Sequence, residues 1–209
     1  MEKILTVKRD LEIKNRVKDS KFLANTVSVV TVEEAQNFVE KIRKKYYDAS
    51  HNVSAFKIGT GDQARKYHDD DGEPAGSSGP PVLQAIEGEN LTNTVIVVTR
   101  YFGGTKLGIG GLIRAYGDTA RMVIQKAGIR ELQPVYKLMV EGDYDVLGTI
   151  LGQIESVGGH IKDTEYNNKG AEVYFFLYPE KYDLLKEKLI EKTGAGVDIH
   201  KIELLYASE

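Results

Sequence analysis

The sequence predicts an α+β protein of two domains, residues 1–131 and 134–207. Three observations lead there. A β-branched run, Thr94 to Val98, passes through a glycine-rich loop into a helical apolar pattern at Leu112, Ile113, Tyr116, Ala120, Val123, Ile124 and Ala127. After Gln133-Pro134 the elements read strand, helix, two strands, helix, strand. The charge balance changes sign at the same place: residues 1 to 131 hold 20 Lys/Arg against 17 Asp/Glu, and the remainder holds 8 against 14.

In chain order, Ile13 to Val17 and Phe22 to Val30 alternate like strands around the polar turn Lys18-Asp-Ser20, so a hairpin opens the fold. Thr31-Val-Glu-Glu34 is a capping box, in which the threonine oxygen and the glutamate each satisfy a free N–H at a helix start. Val32, Ala35, Phe38, Val39, Ile42 and Tyr46 then mark one helical face. His51 to Ile58 returns to strand alternation, and a helix is expected from Pro80-Pro81 with Ser77 and Ser78 as its caps. Asn93 to Thr99 is the central strand, and the helix after the glycine loop ends at Gly128. Beyond Pro134, Val135 to Glu141 is a strand and Val146, Leu147, Ile150, Leu151, Ile154 and Val157 form a helical stripe. His160 to Tyr166 and Ala171 to Tyr178 flank the hairpin turn Asn167-Asn-Lys-Gly170. Pro179 to Glu191 is a helix and Val197 to Tyr206 the last strand, which gives βαββαβ, the ferredoxin-like plan.

The chain length suits one large or two small domains, each with room for a core. Cysteine is absent, which removes disulfides, thiolate zinc sites, iron–sulfur clusters and thiol nucleophiles. The four histidines are scattered and form no HExxH helix. No metal site and no cofactor are expected. No apolar run approaches 18 residues and no charged-then-apolar leader follows Met1, so the expected location is the cytoplasm and no membrane partner is expected. A polyanion would meet the first domain rather than the acidic second one.

Two loops carry the unusual chemistry. The first holds Arg100, Tyr101, Phe102, Gly103, Gly104, Lys106, Gly108, Gly110, Gly111 and Arg114. Backbone N–H groups freed by glycine, a helix start and three cations without a carboxylate suit an anion, most naturally a phosphate. A Walker loop would need lysine where Ile109 stands, and a dinucleotide fingerprint would need glycine where Ile113 stands. The plainer reading is that these glycines only pack helix against sheet. The second loop, His68 to Pro81, carries Asp69, Asp70, Asp71, Gly72, Glu73 and Pro74. An EF-hand frame fails, with Tyr67 and Ser78 where ligands belong, and Gly-x-Ser-x-Gly fails at Pro80. The acidic loop is either a solvated turn, a brace for Arg100, Lys106 or Arg114, or a weaker candidate for Mg²⁺. Ser20 and His51 are possible supporting residues, although a lone histidine is more often structural. In the second domain, Lys169 to Phe176 matches an RNA-recognition strand poorly, so Tyr174, Phe175 and Phe176 read as strand packing.

Asp70-Asp-Gly-Glu-Pro-Ala-Gly76 followed by Thr99-Arg-Tyr-Phe-Gly-Gly-Thr-Lys-Leu-Gly-Ile-Gly-Gly-Leu-Ile-Arg-Ala-Tyr116 resembles the paired motifs of the YigZ/IMPACT family, and the resemblance spans nearly the whole chain. It implies a first domain like the second domain of ribosomal protein S5 and a ferredoxin-like second domain, both similar to late domains of elongation factor G. Eukaryotic members of that family regulate translation by damping a starvation-kinase pathway, and carry an RWD domain with no counterpart here. Ser77-Ser78 stands where many members have Thr-Ala. The expected function is therefore a non-catalytic, translation-associated module that binds RNA, ribosome or a translation factor, with Arg100, Lys106 and Arg114 on phosphate and Tyr101 or Phe102 stacked on a base. The rivals are an enzyme on a phosphorylated metabolite or nucleotide, with Asp70, Asp71 or Glu73 as base or Mg²⁺ ligand, and a dock for an acidic protein.

Overall fold

The computed structural model describes residues 2–194 and 197–207. The chain divides into two compact units, Ile4–Glu131 and Leu132–Glu209 with Met1–Lys3.

The first unit runs β1 (Ile4–Val7), β2 (Leu11–Val17), β3 (Ser20–Ser28), α1 (Val32–Lys45), β4 (His51–Ile58), β5 (Arg65–Asp69), α2 (Gly79–Gly88), β6 (Thr94–Tyr101) and α3 (Ile109–Ala127). Strands pair antiparallel in the order β2-β3-β6-β4-β5. The central strand β6 is buried from Thr94 to Arg100, as its β-branched run requires. Its side chains alternate between two cores. Val95 and Val97 pack with Ala35, Val39 and Ile42 of α1 on one face. Ile96 and Val98 pack with Val82, Ala85 and Ile86 of α2 and with Leu112, Tyr116, Ala120 and Val123 of α3 on the other. Thr31 and Glu34 form the capping box that starts α1.

Two strands are absent from the sequence reading. In β5 nearly every residue is exposed, so it carries no apolar alternation. β1 is four residues long, and it is held by a parallel bridge from Leu5 to Leu91 and by Thr6 Oγ1 donating to the Asn93 carbonyl at 3.0 Å.

The second unit is built from β7 (Ile129–Asp143), whose first three residues belong to the first unit, and from α4 (Tyr144–Ser156), β8 (His160–Tyr166), β9 (Gly170–Leu177), α5 (Tyr182–Thr193) and β10 (Asp198–Ala207). Its strands pair antiparallel in the order β10-β7-β9-β8. Gln133 and Pro134 lie inside β7 rather than in a loop. Leu138, Val140, Val173, Phe175 and Leu177 pack with Ile150, Ile154, Leu185 and Leu189 of the two helices. Of the three strand aromatics, Phe175 is fully buried, Tyr174 donates to Glu172 at 2.7 Å, and Phe176 lies under Lys162. A 3-10 turn at Pro179–Lys181 precedes α5, so the α-helix starts three residues after the proline. Among the described residues, no helix is long and apolar enough to cross a membrane.

Candidate nucleic-acid interface

The site lies at the end of β6, on the face covered by α2 and α3. Sheet register sets Arg100 between Phe22 of β3 and His51 of β4 in one row across three strands. Arg100 is the last buried residue of its strand, and its guanidinium stacks near the rings of Phe22 and Phe102, 5.8 and 5.4 Å from their centroids. A charge there needs a partner, because desolvating a guanidinium alone costs several kcal/mol, of order 3 to 5 when a partner is deleted.

Glu73 supplies it. Its Oε1 accepts from Arg100 Nη1 and from the Tyr116 hydroxyl, each at 2.7 Å. Both the carboxylate and the guanidinium are almost fully buried, at 4% and 6% side-chain exposure. Burial, reinforced by the Glu73 hydrogen bond, pushes the Tyr116 phenol far above its ordinary range, so it stays a donor. Arg100 Nη2 donates to Ser20 Oγ at 3.3 Å, while Nε is buried without a partner.

The turn that delivers Glu73 is set from both sides. Asp71 and Gly72 both take positive φ, +47° and +82°, and the Gly72 conformation is one that side chains rarely adopt. This turn aims the Asp71 carbonyl at His51 Nδ1, 2.8 Å away, and places His51 Nε2 3.8 Å from Glu73 Oε2. The other carboxylates of the loop are committed elsewhere. Asp69 pairs with Arg43 at 2.6 Å, and Asp71 accepts from the Asn52 amide at 2.6 Å. Asp70 Oδ1 accepts from the amides of Ser78 and Gly79 and from Ser78 Oγ, and Oδ2 accepts from the Gly76 amide. Burial raises the Asp70 pKa, but the bonds from Ser78, Gly79 and Gly76 outweigh it and leave the carboxyl below its usual value.

This corrects the sequence reading of the α2 cap. Ser78 makes no side-chain cap bond, and the carboxylate eight residues upstream does that work, while Ser77 Oγ is buried without a partner. Among the described residues, no three acidic or histidine side chains converge as a metal site would require.

The glycine loop docks on the tip of the β2–β3 hairpin. Thr105 Oγ1 donates to Asp19 at 2.7 Å, and the Gly103 amide reaches Ser20 Oγ at 3.4 Å. A Cβ at Gly103 would overlap the Asp19 backbone carbonyl, so only glycine permits this approach. Ser20 thus joins Arg100 to the loop.

Between the two loops lies one cleft of about 390 Å³. His51, Glu73 and Arg100 form its polar part, and Pro74, Phe102, Leu107, Ile109 and Leu112 its apolar walls. Gly108 and Lys106 complete it, and Lys106 is exposed. Arg114 is exposed on the first turns of α3 but does not line the cleft. Neither do Tyr101, whose hydroxyl donates to Asp48 at 2.7 Å, nor Asp70, Asp71, Gly72, Gly103, Gly104, Gly110 and Gly111. Arg100 requires a correction of role: its charge is neutralised by Glu73, so it is the brace of the acidic loop rather than a free phosphate contact.

Residues 18–124 match the Impact N-terminal domain. The IMPACT family member YvyE of Bacillus subtilis is 36% identical over 201 residues, covering 96% of this chain and 92% of that protein. This chain belongs to the IMPACT family. The IMPACT family member YigZ of Escherichia coli is 30% identical over 79% of the chain and 82% of its own length. A solved structure titled as that of a hypothetical protein superposes with a TM-score of 0.73 at 28% identity, covering 97% of this chain and 98% of its own.

The structure adds residues to the IMPACT-type motif that sequence reasoning missed. Asp19 and Ser20 of the hairpin tip contact the glycine loop, exposed Lys21 lies over the Tyr101 ring, and Arg16 and Lys18 are exposed on the same hairpin. Three cations around a short polar turn were the available signal, but no local pattern shows that the turn docks on residues 83 to 86 positions away. Tyr116 was legible only as a core position, because a hydroxyl on the apolar face of a helix does not announce its acceptor.

Proposed function

We propose that this IMPACT-family chain is a non-catalytic, translation-associated module that binds RNA through the cleft between its acidic and glycine-rich loops. One observation carries the reading. Every carboxylate of the acidic loop is already held by a protein donor, whereas Lys18, Lys21, Lys106 and Arg114 are exposed and pair with no carboxylate among the described residues. The surface around the cleft therefore offers free cations, a half-exposed aromatic ring at Phe102 and a glycine-lined wall.

Family membership supports the link to translation, and the β10-β7-β9-β8 order supports a ferredoxin-like reading of the second unit. The first unit is read as S5-domain-2-like on the family resemblance, and action in the cytoplasm follows from the same role. The metal-enzyme alternative is disfavoured because Asp70 caps α2, Asp71 holds Asn52, and Glu73 is fixed between Arg100 and Tyr116.

Co-sedimentation with ribosomes and gel-shift with RNA test the proposal. Lys106→Glu with Arg114→Glu should sharply weaken retention while the far-ultraviolet circular dichroism spectrum is unchanged. Retention equal to that of the unaltered protein would overturn it.

A further inference from the structure

The polar end of the cleft defines the chemistry of the group it would hold, an inference that rests on the RNA reading above. His51 Nδ1 lies 2.8 Å from the Asp71 carbonyl oxygen. A carbonyl oxygen can only accept, so the proton between them sits on Nδ1. In the neutral ring Nε2 is then a bare acceptor.

That acceptor stands 3.8 Å from a second one, Glu73 Oε2. Oε1 of the same carboxylate is filled by Arg100 and Tyr116, while Oε2 receives no hydrogen bond among the described residues. Both His51 and Glu73 line the cleft. Two acceptors side by side call for a donor with two hydrogens. An amino nitrogen about 2.9 Å from each would bend its N–H bonds by only about 20°, within the range of sound hydrogen bonds.

The rest of the cleft suits a flat ring carrying such a group. Pro74, Phe102, Leu107 and Ile109 offer apolar surface to a ring face, and Lys106 offers a cation to an adjoining phosphate. We propose that the cleft holds an unpaired nucleobase bearing an exocyclic amino group, its NH₂ donating to His51 Nε2 and Glu73 Oε2. Adenine, cytosine and guanine carry that group. Uracil presents one N–H between two carbonyl oxygens and would set acceptor against acceptor, which a buried carboxylate penalises.

Fluorescence anisotropy with the full chain tests this without any substitution. Three short labelled RNAs of equal length are compared at one salt concentration: oligo(A), oligo(U), and an oligomer with purine in place of adenine. Oligo(A) should bind at least about tenfold tighter than either of the others, since removing the amino group loses two hydrogen bonds, one of them to a charged group. Glu73→Gln should erase the preference, and His51→Phe, which leaves the Glu73–Arg100 pair intact, should reduce it.

Equal, salt-sensitive binding of all three RNAs overturns this inference and leaves the RNA reading standing. If no RNA binds, the RNA reading fails, and adenosine monophosphate is compared with purine riboside monophosphate. Preference for the former assigns the same base chemistry to a free nucleotide, and binding of neither overturns both proposals.

Discussion

Replacing Glu73 with alanine should be the most damaging single change in the first unit. The substitution leaves the Arg100 guanidinium, 6% exposed, without its counter-charge and strips the Tyr116 hydroxyl of its acceptor. Deleting one partner of a buried ion pair costs about 3 to 5 kcal/mol, and the orphaned phenol adds about 1 to 3 kcal/mol. The sum approaches the whole stability of an ordinary domain, about 5 to 15 kcal/mol. Paired replacement, Glu73→Gln with Arg100→Met, removes both charges and keeps most of the volume, so it should recover most of the loss. Urea unfolding of the unaltered protein, Glu73→Gln, Arg100→Met and the double variant gives the coupling directly. A Glu73→Ala loss below about 1 kcal/mol, or a double variant no better than the single one, would refute a buried and mutually dependent pair.

Tyr116→Phe removes one of two donors to Glu73 Oε1 and should cost about 1 to 2 kcal/mol in the same unfolding assay while leaving the ring contact with Phe22 in place. Asp70→Ala should destabilise by about 1 to 2 kcal/mol through loss of the α2 cap. Because the folded Asp70 pKa lies below the ordinary value of 3.8, its contribution is present above that value and is lost as pH falls through the folded pKa. The stability gap between Asp70→Ala and the unaltered protein should therefore narrow in acid. Gly103→Ala should force the glycine loop off the hairpin tip, since the added methyl meets backbone rather than a mobile side chain, and should cost about 1 to 3 kcal/mol in thermal unfolding.

Much of this molecule is legible in local pattern. The Thr31/Glu34 box and the stripe after it start and place α1 because a cap and a helix face are decided within a few residues. The β-branched run of β6, the glycines before α3 and the alternation of the second unit are local in the same sense. What failed was of two kinds. β5 escaped notice because Tyr67, which stacks on Phe56, is its one apolar side chain among four charged or polar ones, so no alternation distinguishes it from a loop. Arg100 was expected on phosphate, with a brace for it as only one of the readings of the acidic loop, because the neutralising Glu73 stands 27 residues away and is delivered by a left-handed turn. A cation in a glycine loop looks free until the register of three strands is known. The Asp70 cap shows the same limit, since the capping template looks at the residue before the helix and the acceptor comes from the far end of the loop.

The salt dependence of RNA affinity probes the central claim most directly. With four exposed cations, Lys106 in the cleft and Lys18, Lys21 and Arg114 on the hairpin and α3, each meeting one phosphate of a single strand, log affinity should fall against log salt with a slope of about −3. Replacing Lys106 and Arg114 with glutamate should flatten it to about −1.4 or less. A slope near zero, or one that these two substitutions leave unchanged, would contradict the claim that this cleft is a nucleic-acid surface.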